Sequence, residues 1–371
     1  QRMSSRPQHP ELLRAAQFDA AGDFDEAINC LARGTGAGDV ACKEQLGMRL
    51  LTGQNAPLLP TEGLQFIGEA CEQGFGEGAA RAAGVIAMGD GDDHWQRALQ
   101  WLCLSAEAGW SNSRQQLLAL ADDRALAQRV ADTVATPATA GATAATTPAG
   151  TASPWRELAA SIDLGSWRRA PLPHVLSEDP RVVTFAGLVR PEICEFFVSL
   201  TPGRLEPARV YDPQIGKDVV KAHRSNTLAN FDLRRVEFAH VLLQSRMSAA
   251  CGVPVRNMEA PNVLHYAPGE QIVDHFDFVD PSSVPDYAAE VARNGQRVIT
   301  FLLYLNDDYD GGETSFPKLG FANKGRTGDG IYFVNALPDM QPDLRTLHAG
   351  CPTRRGEKWI ITQFIRSRPT R

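Results

Sequence analysis

The chain has 371 residues, of which 43% are hydrophobic, so its length allows two or three domains and its composition supports a buried core. Its formal net charge is −7 and it has no long basic run, which argues against nucleic acid or an anionic membrane surface as its main partner. The longest apolar run, Val298 to Leu305, has eight residues and is far too short to span a membrane.

The cysteine pattern indicates a reducing compartment. Seven cysteines are scattered along the chain without a C-x-x-C pair, as is typical of reduced, mostly buried thiols. The first residues contain no apolar segment of the kind that a signal peptide has, and they begin with Gln1-Arg2-Met3, which leaves room for further residues upstream. We therefore expect a cytoplasmic protein.

Residues 10–130 have the pattern of one short helix after another. Glu11–Ala21 and Asp23–Arg33 are amphipathic runs, and Gly22 between them is a natural break between two packed helices. The sequence therefore predicts an all-α segment at the start of the chain.

The helical segment also repeats itself. AGDVACKEQLGMRLLTG is echoed by FGEGAARAAGVIAMGDG, which places Gly47 and Gly84 at equivalent positions, and a second echo pairs Gly74 with Gly109. Small residues at fixed places let two helices approach closely, and a period near 35 residues is typical of α-solenoids. These residues resemble the Sel-one-type branch of the tetratricopeptide-like repeats, which implies a module that binds or scaffolds another protein.

Residues 131–153 consist almost wholly of Ala, Thr, Pro and Gly. Such a segment cannot bury a core and is predicted to be a flexible linker. It separates a helical domain, residues 10–130, from a second domain, residues 154–371.

The second domain is predicted to be mainly β. Its strand signals are runs rich in β-branched and aromatic residues, at Arg181–Ala186, Val263–Tyr266, Val298–Leu305, Gly330–Val334 and Lys358–Ile365. Turn sequences such as Asp310-Gly311-Gly312 separate these runs, and Pro191–Leu200 has a helical pattern. Short strands with antiparallel turns favour a sandwich or jelly roll with helices packed outside.

One triplet in this domain suggests a metal. His275 and Asp277 are separated by a single residue, and His348 follows later in the chain. Two imidazoles and one carboxylate are the ligand set that holds a non-haem Fe(II) on one face and leaves the opposite face open. Residues two apart in a strand point the same way, so His275 and Asp277 would reach one ion together. The same three side chains could otherwise be a surface ion pair and a loop histidine.

Lys358 suggests a co-substrate beside this metal. Strand alternation places Lys358, Thr362 and Phe364 on one face, and a lysine on an otherwise apolar face is costly to bury unless an anion meets it. A dicarboxylic acid would meet it well. One end would chelate the iron, while Lys358, Tyr266 and Thr314 would hold the distal carboxylate.

The arrangement of motifs resembles the prolyl 4-hydroxylase family of Fe(II)- and 2-oxoglutarate-dependent dioxygenases. The runs that carry the resemblance are LHYAPGEQIVDHFDF, GQRVITFLLYLNDDYDGGETSFP and LHAGCPTRRGEKWIITQFI, and they fall in the family's order. The resemblance implies a double-stranded β-helix, or jelly roll. It also implies Fe(II), 2-oxoglutarate and O₂ as the reacting groups, with ascorbate as an auxiliary reductant.

The resemblance assigns roles to individual positions. His275, Asp277 and His348 match the iron ligands. Lys358 matches the residue that pairs with the distal carboxylate of 2-oxoglutarate, with Tyr266 and Thr314 as its hydroxyl partners.

The substrate side is less well defined by the resemblance. Arg297 falls where the family places an arginine near the substrate. Phe364 stands where the family often has tryptophan, so the wall of the co-substrate pocket is expected to differ. The long segments Glu206–Arg224 and Phe278–Gln296 look irregular and are expected to cover the site.

Three functions remain open at this point. The first is a hydroxylase of a prolyl or other residue in a peptide or protein, which the helical repeats recruit. The second is a hydroxylase of a free amino acid or small metabolite, in which the repeats serve dimerisation or stability. The third is a non-catalytic adaptor that senses oxygen or 2-oxoglutarate.

Overall fold

A computed structural model describes residues 9–91, 93–135, 153–212, 217–219, 224–232, 235–283 and 285–370. Its contacts divide the chain into two compact units. The first consists of residues 1–164 together with 234–241, and the second of residues 165–233 together with 242–371.

The first unit is helical. Its helices are α1 (Pro10–Ala21), α2 (Phe24–Gly36), α3 (Val40–Thr52), α4 (Pro60–Glu72), α5 (Glu77–Ala87), α6 (His94–Glu107), α7 (Ser111–Leu120), α8 (Arg124–Ala135) and α9 (Pro154–Ala160). The expected break at Gly22 is confirmed, because this residue ends α1 in the left-handed conformation with φ 78°. Asp23 then caps α2 by accepting a hydrogen bond from the Glu26 backbone N–H. Local sequence therefore determines where these helices begin and end.

The packing of α3 against α4 depends on glycine. A Cβ added at Gly47 would lie 2.9 Å from the carbonyl oxygen of Gly63, and one added at Gly63 would lie 2.6 Å from the backbone nitrogen of Leu51. The two backbones therefore approach more closely than any larger residue would permit. This is the close helix contact that the small residues predicted.

Helix α8 extends into the segment that was predicted to be a linker. Helix α8 continues to Ala135, five residues into the segment 131–153. Alanine, threonine and valine carry no helix-breaking feature there, and Ala127 and Val130 are buried. Residues 136–152 lie outside the described part of the chain.

The second unit contains the strands and the remaining helices. In chain order these are α10 (Leu164–Trp167), β1 (Pro173–Glu178), β2 (Arg181–Phe185), α11 (Pro191–Ser199), β3 (Glu206–Pro207), β4 (Val210–Asp212), β5 (Lys217–Val219), β6 (Thr227–Asn230), α12 (Phe238–Cys251), whose first turn belongs to the helical unit, β7 (Asn262–Tyr266), β8 (Ile272–His275), α13 (Pro285–Asn294), β9 (Arg297–Tyr304), β10 (Asp310–Gly311), β11 (Thr314–Phe316), β12 (Phe321–Asn323), β13 (Gly330–Val334), β14 (His348–Gly350), β15 (Thr353–Arg355) and β16 (Lys358–Arg366).

Two antiparallel sheets form the body of this unit. The larger has eight strands in the order β1-β2-β13-β9-β16-β7-β6-β3, and the smaller has four in the order β12-β11-β14-β8. Each named strand signal of the sequence falls in the larger sheet, and β13 has the predicted bounds. This arrangement is consistent with the expected jelly roll.

The core of the unit lies between the two sheets. The larger sheet contributes Leu264 and Tyr266 from β7 and Leu302 from β9, and the smaller sheet contributes Ile272 and Phe316. Because alternate residues of a strand share a face, Leu264 and Tyr266 both point inward. The functional side chains described below are on this inward face.

The segment Phe278–Gln296 is not irregular as expected. Helix α13 occupies Pro285–Asn294 within it. Proline at its first position and Arg293 in its last turn are the helix signals that this stretch carries. In the described part of the chain, no helix is both long and apolar enough to cross a membrane.

Candidate metal and co-substrate site

The structure brings His275, Asp277 and His348 together. His275 ends β8 and His348 begins β14, and the two residues are direct partners in the antiparallel pairing of these strands. Asp277 Oδ1 lies 3.5 Å from His275 Nε2, and Asp277 Oδ2 lies 3.2 Å from His348 Nε2. The potential ligand atoms of the three residues all lie within 4.8 Å of one another, which suits a divalent metal ion.

The reason that Asp277 joins the cluster differs from the expected one. β8 ends at His275, so Asp277 is not a strand residue. The chain leaves the sheet after His275, and Asp277 is held from another strand, as described below. The strand argument for its direction was therefore wrong, although the cluster is as expected.

Backbone carbonyls orient both imidazoles. His275 Nδ1 lies 2.8 Å from the Val273 carbonyl oxygen, and His348 Nδ1 lies 3.0 Å from that of Thr346. A carbonyl can only accept, so each Nδ1 carries a hydrogen and donates it, and each Nε2 is left facing the cluster. This is how metal-binding histidines are usually held.

Two residues that the sequence analysis missed hold Asp277. The Thr300 hydroxyl donates to Asp277 Oδ2 at 2.8 Å, and Asn335 Nδ2 donates to the Thr300 hydroxyl oxygen at 2.8 Å. Because Asn335 supplies a hydrogen to Thr300, the hydrogen of Thr300 itself must point to Asp277. Thr300 could have been suspected, since it shares the inward face of β9 with Leu302, whereas nothing in the sequence marks Asn335.

The charge of Asp277 is stabilised in place. Burial raises the pKa of its carboxyl, but the imidazoles of His348 and His275 outweigh burial and hold that pKa well below its usual range. Asp277 is therefore a carboxylate at neutral pH, which is the form that binds a metal.

Lys358 and Tyr266 lie side by side deeper between the sheets. They are direct partners in the β16–β7 pairing, and Lys358 Nζ lies 4.9 Å from the centre of the Tyr266 ring. Lys358 is only 1% exposed, and within the described part of the chain its ammonium makes no hydrogen bond or ion pair. Burial lowers its pKa to about 8. An anion beside it would relieve this unfavourable burial.

Thr314 presents a second buried hydroxyl. Thr314 Oγ1 lies 3.1 Å from the Tyr304 hydroxyl, to which Asn323 Nδ2 also donates at 3.1 Å. Because Tyr304 receives a hydrogen from Asn323, it can donate its own to Thr314 and leave the Thr314 hydrogen for another acceptor. Tyr304 and Asn323 are two further residues that motif spacing did not reveal.

A single cavity connects these groups. Its volume is about 1050 Å³, and it is lined by the three potential metal ligands, Lys358, Tyr266, Thr314 and Arg297 among others. Ile360, Thr362 and Phe364 also line it, so the predicted inward face of β16 is confirmed. The cavity therefore brings a potential metal-binding cluster and a buried cation together in one space.

Arg297 lines the cavity, but its guanidinium is already paired. Its Nε and Nη2 donate to the two carboxylate oxygens of Glu259 at 2.8 and 2.9 Å, and it lies 3.9 Å above the centre of the Phe364 ring. Phe364 thus supports Arg297 at the position where the family often has tryptophan. Glu259 was not identified from the sequence.

His265, which precedes Tyr266 in the sequence, does not join the cluster. His265 is on the strand face opposite Tyr266, where its ring lies 4.2 Å from that of Trp359 and its Nε2 lies 3.2 Å from Glu357. These contacts give His265 a structural role. His223 and much of the expected covering segment Glu206–Arg224 lie outside the described residues.

Comparison with known proteins points to one family. A family profile described as the 2OG-Fe(II) oxygenase superfamily matches residues 261–366. Prolyl 4-hydroxylase 1 of Arabidopsis thaliana is 32% identical over 214 residues, which are 53% of this chain and 73% of that protein. Prolyl 4-hydroxylase subunit alpha-1 of Gallus gallus is 31% identical over 195 residues, 52% of this chain and 36% of that protein.

Solved structures with similarity to the chain include the 2OG complex of a viral collagen prolyl hydroxylase from Paramecium Bursaria Chlorella virus-1. It aligns with a TM-score of 0.39 and 24% sequence identity, over 50% of this chain and 94% of that chain.

Proposed function

Because the chain belongs to the prolyl 4-hydroxylase family of Fe(II)- and 2-oxoglutarate-dependent oxygenases, we propose that it hydroxylates a prolyl residue of a peptide or protein. The observation that carries the proposal is the cavity that holds a His–Asp–His cluster together with the buried ammonium of Lys358. A metal and a dicarboxylic acid together fit this pair of features, whereas either feature alone occurs in many kinds of binding site.

The metal end of the site is assigned to His275, Asp277 and His348. Their donor atoms are two neutral imidazole nitrogens and a carboxylate, the set that suits Fe(II) and leaves positions for other ligands. With 2-oxoglutarate and O₂, Fe(II) supplies the oxidising power for hydroxylation of an unactivated C–H bond. The protein's own residues orient the ligands and keep the carboxylate charged.

The co-substrate end is assigned to Lys358, Tyr266 and Thr314. Burial raises the pKa of the Tyr266 phenol, so it stays a donor at neutral pH. Lys358 would form an ion pair with the distal carboxylate, and the two hydroxyls would donate to the same group. Apolar walls around these groups exclude water and strengthen the ion pair.

The cavity also has space for a substrate. Ligand pockets usually measure about 300–1000 Å³, and a volume of about 1050 Å³ exceeds the need of a five-carbon diacid. Arg297 on the cavity wall is proposed to face the substrate, with Glu259 holding its side chain in place. A peptide in the rest of the cavity fits these dimensions.

The helical unit is proposed to contain Sel-one-type repeats. Gly74 and Gly109, which the sequence pairs, follow α4 and α6 in the left-handed conformation with φ of 85° and 99°. The same conformation at the same place in two successive hairpins supports a repeat.

The function is tested by product analysis. The purified chain is incubated with Fe(II), 2-oxoglutarate, ascorbate and O₂, and proline-containing peptides are screened beside free amino acids by mass spectrometry. We expect a peptide product that gains one oxygen atom while 2-oxoglutarate is converted to succinate. If only a free amino acid is hydroxylated, the protein is a hydroxylase of small metabolites and the proposal of a peptide substrate is wrong.

Co-substrate binding gives an independent test. Under anaerobic conditions, Fe(II) and 2-oxoglutarate together are expected to produce a weak visible charge-transfer band, because the co-substrate chelates iron at the His–Asp–His cluster. Fe(II) alone is the control. If a folded, metal-loaded sample shows no band, the assignment of the cofactors is wrong.

Thr300 is expected to matter for metal binding. In Thr300→Val, Asp277 Oδ2 loses its hydrogen-bond donor, so we expect the affinity for Mn(II) to fall by roughly 10- to 100-fold, the usual effect of removing a residue that orients a metal ligand. Titration of Mn(II) measures this. Thr300→Ser should restore most of the affinity, and Thr353→Val is the control, since Thr353 is equally buried and its hydroxyl has no hydrogen-bond partner among the described residues.

The pH dependence of co-substrate binding follows from Lys358. Its pKa is lowered to about 8 by burial, so the free protein loses the ammonium proton as pH rises through that value. A dicarboxylate binds the charged form, so the KM for 2-oxoglutarate should be lowest below pH 8 and rise above it. Initial rates at several pH values measure this, and a KM that does not change between pH 7 and 9 would contradict it.

A further inference from the structure

The helical unit contains a short segment from far along the chain. Residues 234–241 belong to it by their contacts, although residues 165–233 between them and α9 belong to the other unit. Val236, Glu237, Phe238 and Ala239 are all at least 98% buried. The helical unit is therefore completed by residues that are distant in sequence.

Glu237 is the most specific part of this contact. It is fully buried, and its Oε1 accepts from Arg81 Nη1 at 3.1 Å while its Oε2 accepts from Gln116 Nε2 at 2.7 Å. Gln116 also accepts a hydrogen bond from the Ala239 backbone N–H at 3.1 Å. A buried carboxylate is tolerated only when it is paired in this way. Arg81 on α5 and Gln116 on α7 thus recognise both a side chain and the backbone.

The shape of the helical surface also fits the segment. A Cβ added at Gly84 would lie 2.9 Å from the Val236 carbonyl oxygen, so only glycine lets the segment reach α5. The Trp95 ring meets the Phe238 ring edge-on, with 6.0 Å between their centres. Gly84 is the proposed repeat equivalent of Gly47, but Gly47 admits a neighbouring helix, whereas Gly84 admits the backbone of Val236, which lies outside any helix or strand.

We infer that Arg81, Gly84, Trp95 and Gln116 form a docking face for an acidic-aromatic peptide, and that the chain's own Val236–Ala239 occupies this face. The face combines a cation for the glutamate, an amide for the backbone, a glycine gap and an aromatic wall. Because the face is occupied within the chain, it does not recruit a protein substrate. The repeat helices instead anchor the segment that leads into α12.

The inference is tested with a fluorescein-labelled peptide of residues 232–243 and the full-length chain. Wild type should not bind it at micromolar concentration, because the chain's own segment is present at an effective concentration on the order of millimolar. Glu237→Arg places two cations together and should release the segment, so that the peptide binds at least about tenfold more tightly than to wild type. Fluorescence anisotropy measures this.

Matched second substitutions show where the peptide binds. Adding Gly84→Ala to Glu237→Arg should abolish binding, because the new methyl group blocks the backbone of the peptide. Adding Gly68→Ala should leave binding intact, since a Cβ there meets only Trp101 at 3.6 Å. Equal binding to wild type would overturn the occupied state. Absence of binding to a folded Glu237→Arg chain would overturn the docking face.

If circular dichroism shows that Glu237→Arg does not fold, Glu237→Gln provides the test. This change keeps the size of the side chain but removes its charge and turns an amide toward Arg81 or Gln116. Amide hydrogen exchange of residues 236–241 should then accelerate by roughly tenfold or more relative to wild type. Unchanged exchange would overturn the inference.

Discussion

Lys358→Ala is expected to raise the KM for 2-oxoglutarate by roughly 10²- to 10³-fold, the usual effect of truncating one partner of a buried charge pair. Lys358 is 1% exposed and its ammonium makes no hydrogen bond or ion pair within the described residues, so it is available to a carboxylate in the cavity. Binding of Mn(II) should be nearly unchanged, because the metal cluster does not include Lys358. Steady-state rates against 2-oxoglutarate concentration measure the first effect, and Mn(II) titration measures the second.

Two further variants support this experiment, one to separate the charge of Lys358 from its volume and one as a control. Lys358→Met keeps most of the side-chain volume without the charge, so it should behave like Lys358→Ala if the ion pair dominates. Lys318→Ala removes an exposed lysine and should leave the KM unchanged. An unchanged requirement for 2-oxoglutarate in Lys358→Ala would show that the co-substrate is placed wrongly.

His275→Ala is expected to abolish hydroxylation and to lower the affinity for Fe(II) or Mn(II) by at least about 100-fold. It removes a proposed direct ligand, so its effect should exceed the 10- to 100-fold loss typical of residues that only orient ligands. Isothermal titration with Mn(II) measures binding separately from turnover. Circular dichroism tests whether the fold survives.

His265→Ala is the matched control for this variant. His265 is ten residues away in the sequence and lies on the opposite face of its strand, stacked on Trp359. It should retain metal binding. Metal affinity near the wild-type value in His275→Ala would contradict the assignment of the cluster.

Alternation along single strands explains why part of the site could be predicted. Lys358, Thr362 and Phe364 share a face because successive side chains of a strand point to opposite sides, a rule that holds whatever the strand pairs with. The same rule failed for Asp277, because β8 ends at His275 and the rule applies only within a strand. Strand ends depend on which neighbour supplies the last hydrogen bond, and that neighbour, β14, is more than seventy residues away.

The residues that support the site could not be predicted from the sequence, for a different reason. Thr300 and Asn335 act on Asp277, and Glu259 acts on Arg297, through contacts between elements that are well separated along the chain. A hydroxyl, an amide and a carboxylate of this kind occur at many positions in the sequence, and only their contacts show that these three support the site. Strand register and sheet packing decide those partners.

The sequence by itself predicted the chemical groups, since two histidines, one aspartate and one lysine at their spacing suggest a metal and an anion before any packing is known. It also determined the helices and most strands of the larger sheet, because caps, glycines and alternation act over a few residues. The tertiary structure alone decided how those groups are held, and that Val236–Ala239 packs among helices that precede it by more than a hundred residues. Such contacts depend on burial and pairing summed over the whole chain, and no local pattern records them.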